Sequence, residues 1–244
     1  MLKIASISLQ IGGSAILKEV ALSIDAGEMV GLIGPNGSGK TSLFNCISGF
    51  AVPQRGSIFF NGIDITNAPP AARAAHGIGR VFQNFGIFRE MSLLENMLTA
   101  LESRDRTAAS LWPWSKTTRT HREEALQFLE NINLQHRASD RASSLSGGQM
   151  RLLEISRTLA FGASLILLDE PTAGVSPKMK QDVAEIILRL RSLKKTVLVI
   201  EHDINFIQSF CNRIVVLDVG KIIMDGSPEE IRSDKRLQEI YFGT

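Results

Sequence analysis

The sequence predicts an α/β fold: a core built on a buried parallel sheet, an antiparallel β layer beside it, and a helical subdomain inserted between the two halves of the core. Three observations carry this. The stretch Gly34-Pro35-Asn36-Gly37-Ser38-Gly39-Lys40-Thr41 follows the apolar run Met29-Val30-Gly31-Leu32-Ile33 and precedes a helical pattern over residues 42–47. Two further apolar runs, Ser164-Leu165-Ile166-Leu167-Leu168 and Thr196-Val197-Leu198-Val199-Ile200, each end abruptly in charged residues, as strands buried on both faces do. Between the glycine-rich stretch and the first of these runs lie residues 84–149, whose periodicity is mainly helical.

The chain opens with residues 2–9, where apolar and polar side chains mostly alternate, and a turn at Gly12-Gly13. Residues 20–24 are a second strand candidate, and Asp25-Ala26-Gly27-Glu28 a tight turn into the strand that feeds the glycine-rich stretch. Residues 56–62 continue the antiparallel layer and end in a hairpin-forming Asn61-Gly62.

The glycine-rich stretch fills the spacing of a phosphate loop. Glycines at 34, 37 and 39 permit positive φ and close backbone approach, so successive N–H groups can form an anion nest at a helix N-terminus. Lys40 would reach the β- and γ-phosphates, the Thr41 hydroxyl would ligate Mg²⁺, and Gly34, Pro35, Asn36, Gly37, Ser38, Gly39 and Ser42 complete the expected contact surface.

After a short helix at residues 70–75, Gly79-Arg80-Val81-Phe82-Gln83 reads as a strand ending in Gln83, an amide able to ligand Mg²⁺ and orient water. Leu93, Leu94, Met97, Leu98 and Leu101 mark a helix. Residues 103–119, with Trp112-Pro113-Trp114, read as a loop, and residues 120–123 as a capping box opening the next helix. Leu145-Ser146-Gly147-Gly148-Gln149 then precedes a strong helical pattern. Ser-Gly-Gly at a helix start offers free N–H groups, the positive dipole end and a hydroxyl, a second anion site. One chain cannot easily apply both sites to one nucleotide, which points to two chains.

The run to Leu168 ends in Asp169-Glu170, and that to Ile200 in Glu201-His202-Asp203. Open α/β sheets bind ligands at this carboxyl edge. There Asp169 suits Mg²⁺, Glu170 can orient or deprotonate water, and a neutral His202 can hydrogen-bond a phosphate. Residues 178–193 form a helix, 213–217 and 221–224 a hairpin about Val219-Gly220, and a short helical tail closes the chain at Tyr241-Phe242.

Composition narrows the function classes. The 244 residues carry a net charge of +2 with both signs scattered, so nothing favours a nucleic-acid partner. The first residues do not form a signal-peptide pattern, and no run approaches the ~18 apolar residues of a membrane span. A soluble protein is expected. Cys46 and Cys211 fall in apolar helical patterns, as reduced core thiols do.

Taken in order, GPNGSGKT, Gln83 after Phe82, LSGGQ, LILLDE and a strand-end His resemble the ATP-binding subunit of ABC transporters over nearly the whole chain. The resemblance implies a P-loop NTPase (RecA-like) core formed by residues 1–83 and 150–222, the helical subdomain at 84–149 and a tail at 223–244. It also implies ATP and Mg²⁺ as cofactors, ATP hydrolysis, and a head-to-tail pair of ATP-binding subunits, homo- or heterodimeric. Each ATP would lie between the phosphate loop of one subunit and Ser146, Gly147, Gly148 and Gln149 of the other. The motifs carry over onto Lys40, Thr41, Gln83, Asp169, Glu170 and His202, with Thr41, Gln83 and Asp169 toward the metal.

Within that family the chain is most similar to branched-chain amino-acid importers, through residues 44–50, 81–83, 87–91, 200–203 and 226–231. Lipopolysaccharide-export ATPases are the second resemblance, set back by Gln149 where Glu is usual; a soluble scaffold ATPase is the third reading. The importer reading implies membrane permease subunits, an external solute-binding protein acting indirectly, and a peripheral place on the cytoplasmic face of the inner membrane. Phe85, Ile87 and Phe88 are expected to line the groove that takes a short permease helix. Two positions depart from the family pattern: Ile11 stands where an aromatic usually stacks on adenine, and Ser176 where Asp or Asn usually precedes Pro177.

Overall fold

The computed structural model describes residues 1–83, 86–105 and 116–234. The first sheet is antiparallel, in the order β2-β1-β4-β5. It comprises β1 (Leu2–Ile11), β2 (Ser14–Ile24), β4 (Arg55–Phe60) and β5 (Ile63–Asp64). The turn from β4 to β5 is Asn61-Gly62, with φ of 50° and 81°, the paired positive values a tight hairpin demands. The second strand is longer than residues 20–24, because polar positions from Ser14 onward still pair with β1.

The second sheet has six strands in the order β10-β9-β3-β8-β7-β6. These are β3 (Met29–Ile33), β6 (Ile78–Val81), β7 (Leu165–Asp169), β8 (Thr196–Ile200), β9 (Arg213–Asp218) and β10 (Lys221–Gly226). All neighbours are parallel except the β9–β10 hairpin. The strict alternation of side chains divides its buried residues between two cores. Val30, Leu32, Leu165, Leu167, Leu198, Ile200, Val215 and Leu217 face the antiparallel layer and α1 (Lys40–Ser48). Ile33, Ile166, Leu168, Val197, Val199, Ile214 and Val216 face the other way. That second core is completed from α3 (Leu93–Arg104), α4 (Lys116–Glu130), α5 (Gly147–Ala160) and α6 (Pro177–Ser192). The shorter helices are α2 (Pro70–Ala75), α7 (Ile204–Gln208) and α8 (Pro228–Ser233).

Several boundaries differ from the sequence expectation. The helix after the phosphate loop starts at Lys40, two residues before Ser42, because it opens directly from Gly39. The strand before Gln83 ends at Val81, leaving Gln83 in the following turn. Residues 120–123 are not a helix start: α4 begins at Lys116, so Thr120 lies inside it. Capping boxes instead open α3, α5 and α8, at Ser92, Ser146 and Ser227. Cys211 lies between α7 and β9, not in a helix, and both cysteines are buried free thiols. Phe85, Trp112, Trp114, Tyr241 and Phe242 lie outside the described residues.

Candidate active site

The sheet order decides which side chains meet. Reading across its carboxyl edge, β3 delivers the glycine-rich loop, β8 delivers His202, β7 delivers Asp169 and Glu170, and the turn after β6 delivers Gln83. Residues far apart in sequence are thereby set side by side.

The loop itself is shaped by its glycines. Gly34 packs so closely on β9 that a Cβ there would sit 2.0 Å from the Leu217 carbonyl oxygen, and Gly39 adopts φ +107°. Gly39 caps α1 without any side-chain hydrogen bond, so the first-turn N–H groups have no side-chain acceptor at the cap. Lys40 Nζ folds over the loop and donates to the carbonyl oxygens of Gly34 at 2.8 Å and Pro35 at 2.9 Å. Burial lowers its pKa, and the charges of Glu170 and Asp169 oppose that shift. Ser38 Oγ is buried without a hydrogen-bond partner. Bare helix N–H groups, a buried ammonium and an orphaned hydroxyl form a cradle for a polyanion. Asn36, Gly37 and Thr41 are exposed, and Pro35 and Ser42 half-buried, along its open side.

Glu170 is the hub of the opposite wall. Its Oε1 lies 2.8 Å from His202 Nε2, and its Oε2 accepts from Gln83 Nε2 at 3.1 Å. Its backbone is left-handed, φ +48°, while its N–H donates to Ile200 O at 3.0 Å, so the strand edge holds a strained residue in place. The turn beyond is anchored by buried Glu201, whose Oε1 accepts from both the N–H and the hydroxyl of Thr172.

Asp169 is 94% buried at its side chain, and Arg80 Nη2 donates to its Oδ2 at 2.7 Å. Among the described residues no cluster of three or more His, Cys, Asp or Glu could cage a metal. Mg²⁺ takes hard oxygen donors and is usually held by one or two carboxylates together with substrate phosphates. Asp169 Oδ1, the Thr41 hydroxyl and the Gln83 amide oxygen are donors of that kind, so the set fits Mg²⁺ that arrives with a nucleotide.

Ser146 caps α5 and accepts from Gln149 N–H at 3.3 Å, while Gln149 Oε1 accepts from Ser146 N–H at 3.1 Å. Ser146 and Gly147 are exposed; Gly148 is buried, and a Cβ there would strike the Met179 side chain of α6 at 2.2 Å. The phosphate loop contacts Ile16, Leu17 and Leu217 instead, so the two glycine-rich sites rest on different elements. Ile11 ends β1 with 57% of its surface exposed. Ser176 caps α6, accepting from Met179 N–H.

Sequence reasoning missed the residues that hold these groups. Arg80 also donates to Asn45 Oδ1 at 2.7 Å and Ser48 Oγ at 3.0 Å, joining α1 to β7. Buried Glu154 accepts from the N–H groups of Phe82 and Gly86, and Arg151 donates to the carbonyls of Phe82 and Gln83. Burial pushes the Glu154 carboxyl up, with Arg151 opposing. The signal was present: Arg80 interrupts an apolar strand, and Arg151 and Glu154 sit on the apolar stripe of α5.

Beside this framework lies a groove of about 460 Å³, lined among others by Phe50, Arg80, Phe82, Phe88 and Phe161. Phe50 and Phe88 are 58% and 48% exposed, and the Arg157 guanidinium lies 4.7 Å over the Phe88 ring. Ile87 does not line it; it is buried in the second core.

Residues 17–173 match the family model described as ABC transporter. The chain belongs to the ABC transporter family. It is 37% identical, over all of its length and 98% of the relative's, to the high-affinity branched-chain amino acid transport ATP-binding protein BraF of Pseudomonas aeruginosa. It is 36% identical, over 93% of its length and 91% of the relative's, to the lipopolysaccharide export ATP-binding protein LptB of Haemophilus influenzae. Among solved structures, the ADP conformation of MJ1267, an ATP-binding cassette of an ABC transporter, superposes with TM-score 0.87 at 34% identity, covering 100% and 99% of the two chains. A dimeric post-hydrolysis cassette, MJ0796 with ADP and Pi, superposes with TM-score 0.79 at 30% identity, covering 93% and 99%. This ABC ATPase therefore has the P-loop NTPase fold and is an ATP-hydrolysing cassette.

Proposed function

We propose that this ABC ATPase is the peripheral motor of a membrane importer for branched-chain or other hydrophobic amino acids. The observation that carries the importer reading is coverage: the BraF likeness runs over the entire chain, and the LptB likeness over 93%. No helix among the described residues is long and apolar enough to cross a membrane, so contact with the bilayer is assigned to permease subunits. The groove walled by Phe50, Phe82 and Phe88 is their docking place; aromatic rings around a cavity suit the apolar side of a short helix.

In this reading the phosphate loop holds the nucleotide's phosphates through its N–H groups, and Lys40 exchanges the Gly34 and Pro35 carbonyls for phosphate oxygens. Asp169, Thr41 and Gln83 are the residues that would hold Mg²⁺, which would supply counter-charge to the phosphates. Glu170 orients and deprotonates the attacking water. His202 fixes the Glu170 carboxylate and faces the γ-phosphate. Ile11 gives the base an exposed apolar surface without aromatic stacking. The phosphate loop and the Ser146 helix start of one chain rest on different elements, which supports pairing with a second subunit whose Ser146, Gly147, Gly148 and Gln149 close the site.

The lipopolysaccharide-export reading is the second, favoured by the near-equal identity of LptB. Purification of the tagged chain from detergent-solubilised membranes, followed by ATP-dependent leucine uptake in proteoliposomes with the co-purified permease, separates the two. Uptake that stops in the Glu170→Gln variant supports import. A partner complex that moves lipopolysaccharide and no amino acid overturns it.

A further inference from the structure

Asp169 is a buried carboxylate at the carboxyl edge of the sheet, level with Ile200 of β8, which is in turn level with Leu32 of β3, just before the phosphate loop. Left alone, such a group is costly in itself and repels any polyanion entering the loop. It is not left alone. The Arg80 side chain, 93% buried, donates to Asp169 Oδ2 at 2.7 Å. Its other terminal nitrogen is fixed by Asn45 and Ser48 of the helix that the phosphate loop opens. The guanidinium also lies 4.8 Å from the centre of the Phe82 ring and 5.8 Å from that of Phe44, so packing limits its swing. A bound, aligned cation of this kind is an internal counter-charge.

We propose that Arg80 is a positioning residue that neutralises Asp169 and so sets how strongly nucleotide affinity depends on the divalent ion. With Arg80 present, Asp169 is compensated before any metal arrives, and the loop accepts a metal-free polyphosphate with little penalty. Without Arg80, the carboxylate opposes the phosphates unless a divalent cation supplies the counter-charge. The same contact leaves Oδ1 as the carboxylate oxygen available to Mg²⁺. This inference rests on the phosphate-site reading given above.

The test is the affinity of the purified full chain for a fluorescent ATP analogue, measured once in EDTA and once in excess Mg²⁺. Arg80→Gln is expected to weaken metal-free binding about tenfold or more, and Mg²⁺-bound binding about threefold or less. Arg80→Lys keeps the charge and is expected to keep most of the metal-free affinity. Because Arg80→Gln strands a buried carboxylate and can compromise folding, the double variant Arg80→Gln/Asp169→Asn is measured beside it and is expected to recover metal-free affinity to within about threefold.

Equal losses in both conditions, no loss in either, or no recovery in the double variant overturns the role of Arg80. Asp169→Asn alone separates the two levels. If that variant removes the Mg²⁺ dependence while Arg80→Gln leaves it intact, only the Arg80 inference falls; if Asp169→Asn changes neither affinity, the metal-site reading falls with it.

Discussion

Glu170 and His202, at the ends of neighbouring strands β7 and β8, are 2.8 Å apart through Oε1 and Nε2. With Gln83 on the other carboxylate oxygen, Glu170 is held at both ends and its backbone is confined to φ +48°. A carboxylate so fixed is suited to directing a water, since a positioned general base contributes ~10²–10⁴-fold to rate. Glu170→Gln keeps the shape and removes the base. Phosphate release should fall by about that factor with nucleotide affinity little changed. His202→Ala should cost less, because Gln83 still holds the carboxylate. Undiminished turnover in Glu170→Gln would reassign the base.

Gly34 and Gly37 separate two reasons for a glycine. A Cβ on Gly34 would meet the Leu217 carbonyl at 2.0 Å, whereas one on Gly37 meets nothing within 4 Å and faces only its φ of +80°. Gly34→Ala must displace β9 or the loop, a loss of about 1–3 kcal/mol in urea unfolding, with nucleotide binding weakened in step. Gly37→Ala should cost about 1–2 kcal/mol from its left-handed backbone and weaken binding less. The reverse ranking would mean that the loop's fit to β9 does not shape the site.

These two sites also show what the sequence revealed and what it hid. The loop, Asp169, Glu170 and His202 were legible because each follows an apolar run, and strands buried on both faces end where polarity returns. The sheet order was not legible: nothing local says that β8 enters between β3 and β7, yet that insertion sets His202 beside Glu170. Gln83 was expected at a strand end and lies in a turn, because hydrogen bonds from Arg151 and to Glu154 hold Phe82, Gln83 and Gly86 off the sheet. Ile87 was expected in the groove together with Phe88, but the adjacent side chains diverge and Ile87 is buried in the core. Arg80 was passed over because a charged residue in a strand has no visible partner until α1 and β7 are folded against it.

The three serine capping boxes among the described residues allow structure to be separated from function. Ser92, Ser146 and Ser227 each accept from the N–H three residues on. Alanine at any of them should lower stability by ~1 kcal/mol. Ser92→Ala and Ser227→Ala should retain ATPase activity once folded, and Ser146→Ala should lose it through weaker ATP-dependent pairing, read by light scattering of the Glu170→Gln background with Mg²⁺ and ATP. Equal activity in all three would leave Ser146 a helix cap and nothing more.

The thiols report on the closure of the core. Burial pushes the Cys46 thiol up to about 11, and drives Cys211 still further in the same direction. At pH 8 only about one Cys46 in a thousand is thiolate, against roughly a quarter at the ordinary value of ~8.5. Ellman's reagent should therefore label the folded chain at least about a hundredfold more slowly than the urea-unfolded chain. Rapid labelling of Cys46 at pH 7 would show that α1 opens readily from the antiparallel layer.

The groove offers a readout independent of nucleotide. Phe50 and Phe88 are half-exposed at its rim, and Phe50 meets Phe82 edge-on with ring centres 5.7 Å apart. Truncating side chains already half in solvent should cost the isolated chain little, about 1 kcal/mol each, so a Phe50→Ala/Phe88→Ala variant should fold and bind ATP. A permease helix seated among those rings would lose far more, since aromatic anchors in a desolvated pocket contribute ~2 kcal/mol or more apiece to an interface. The variant should therefore fail to co-purify with permease subunits while its ATP affinity stays within about twofold of wild type, a difference under ~0.5 kcal/mol. Co-purification at wild-type yield would move the docking surface elsewhere on the cassette.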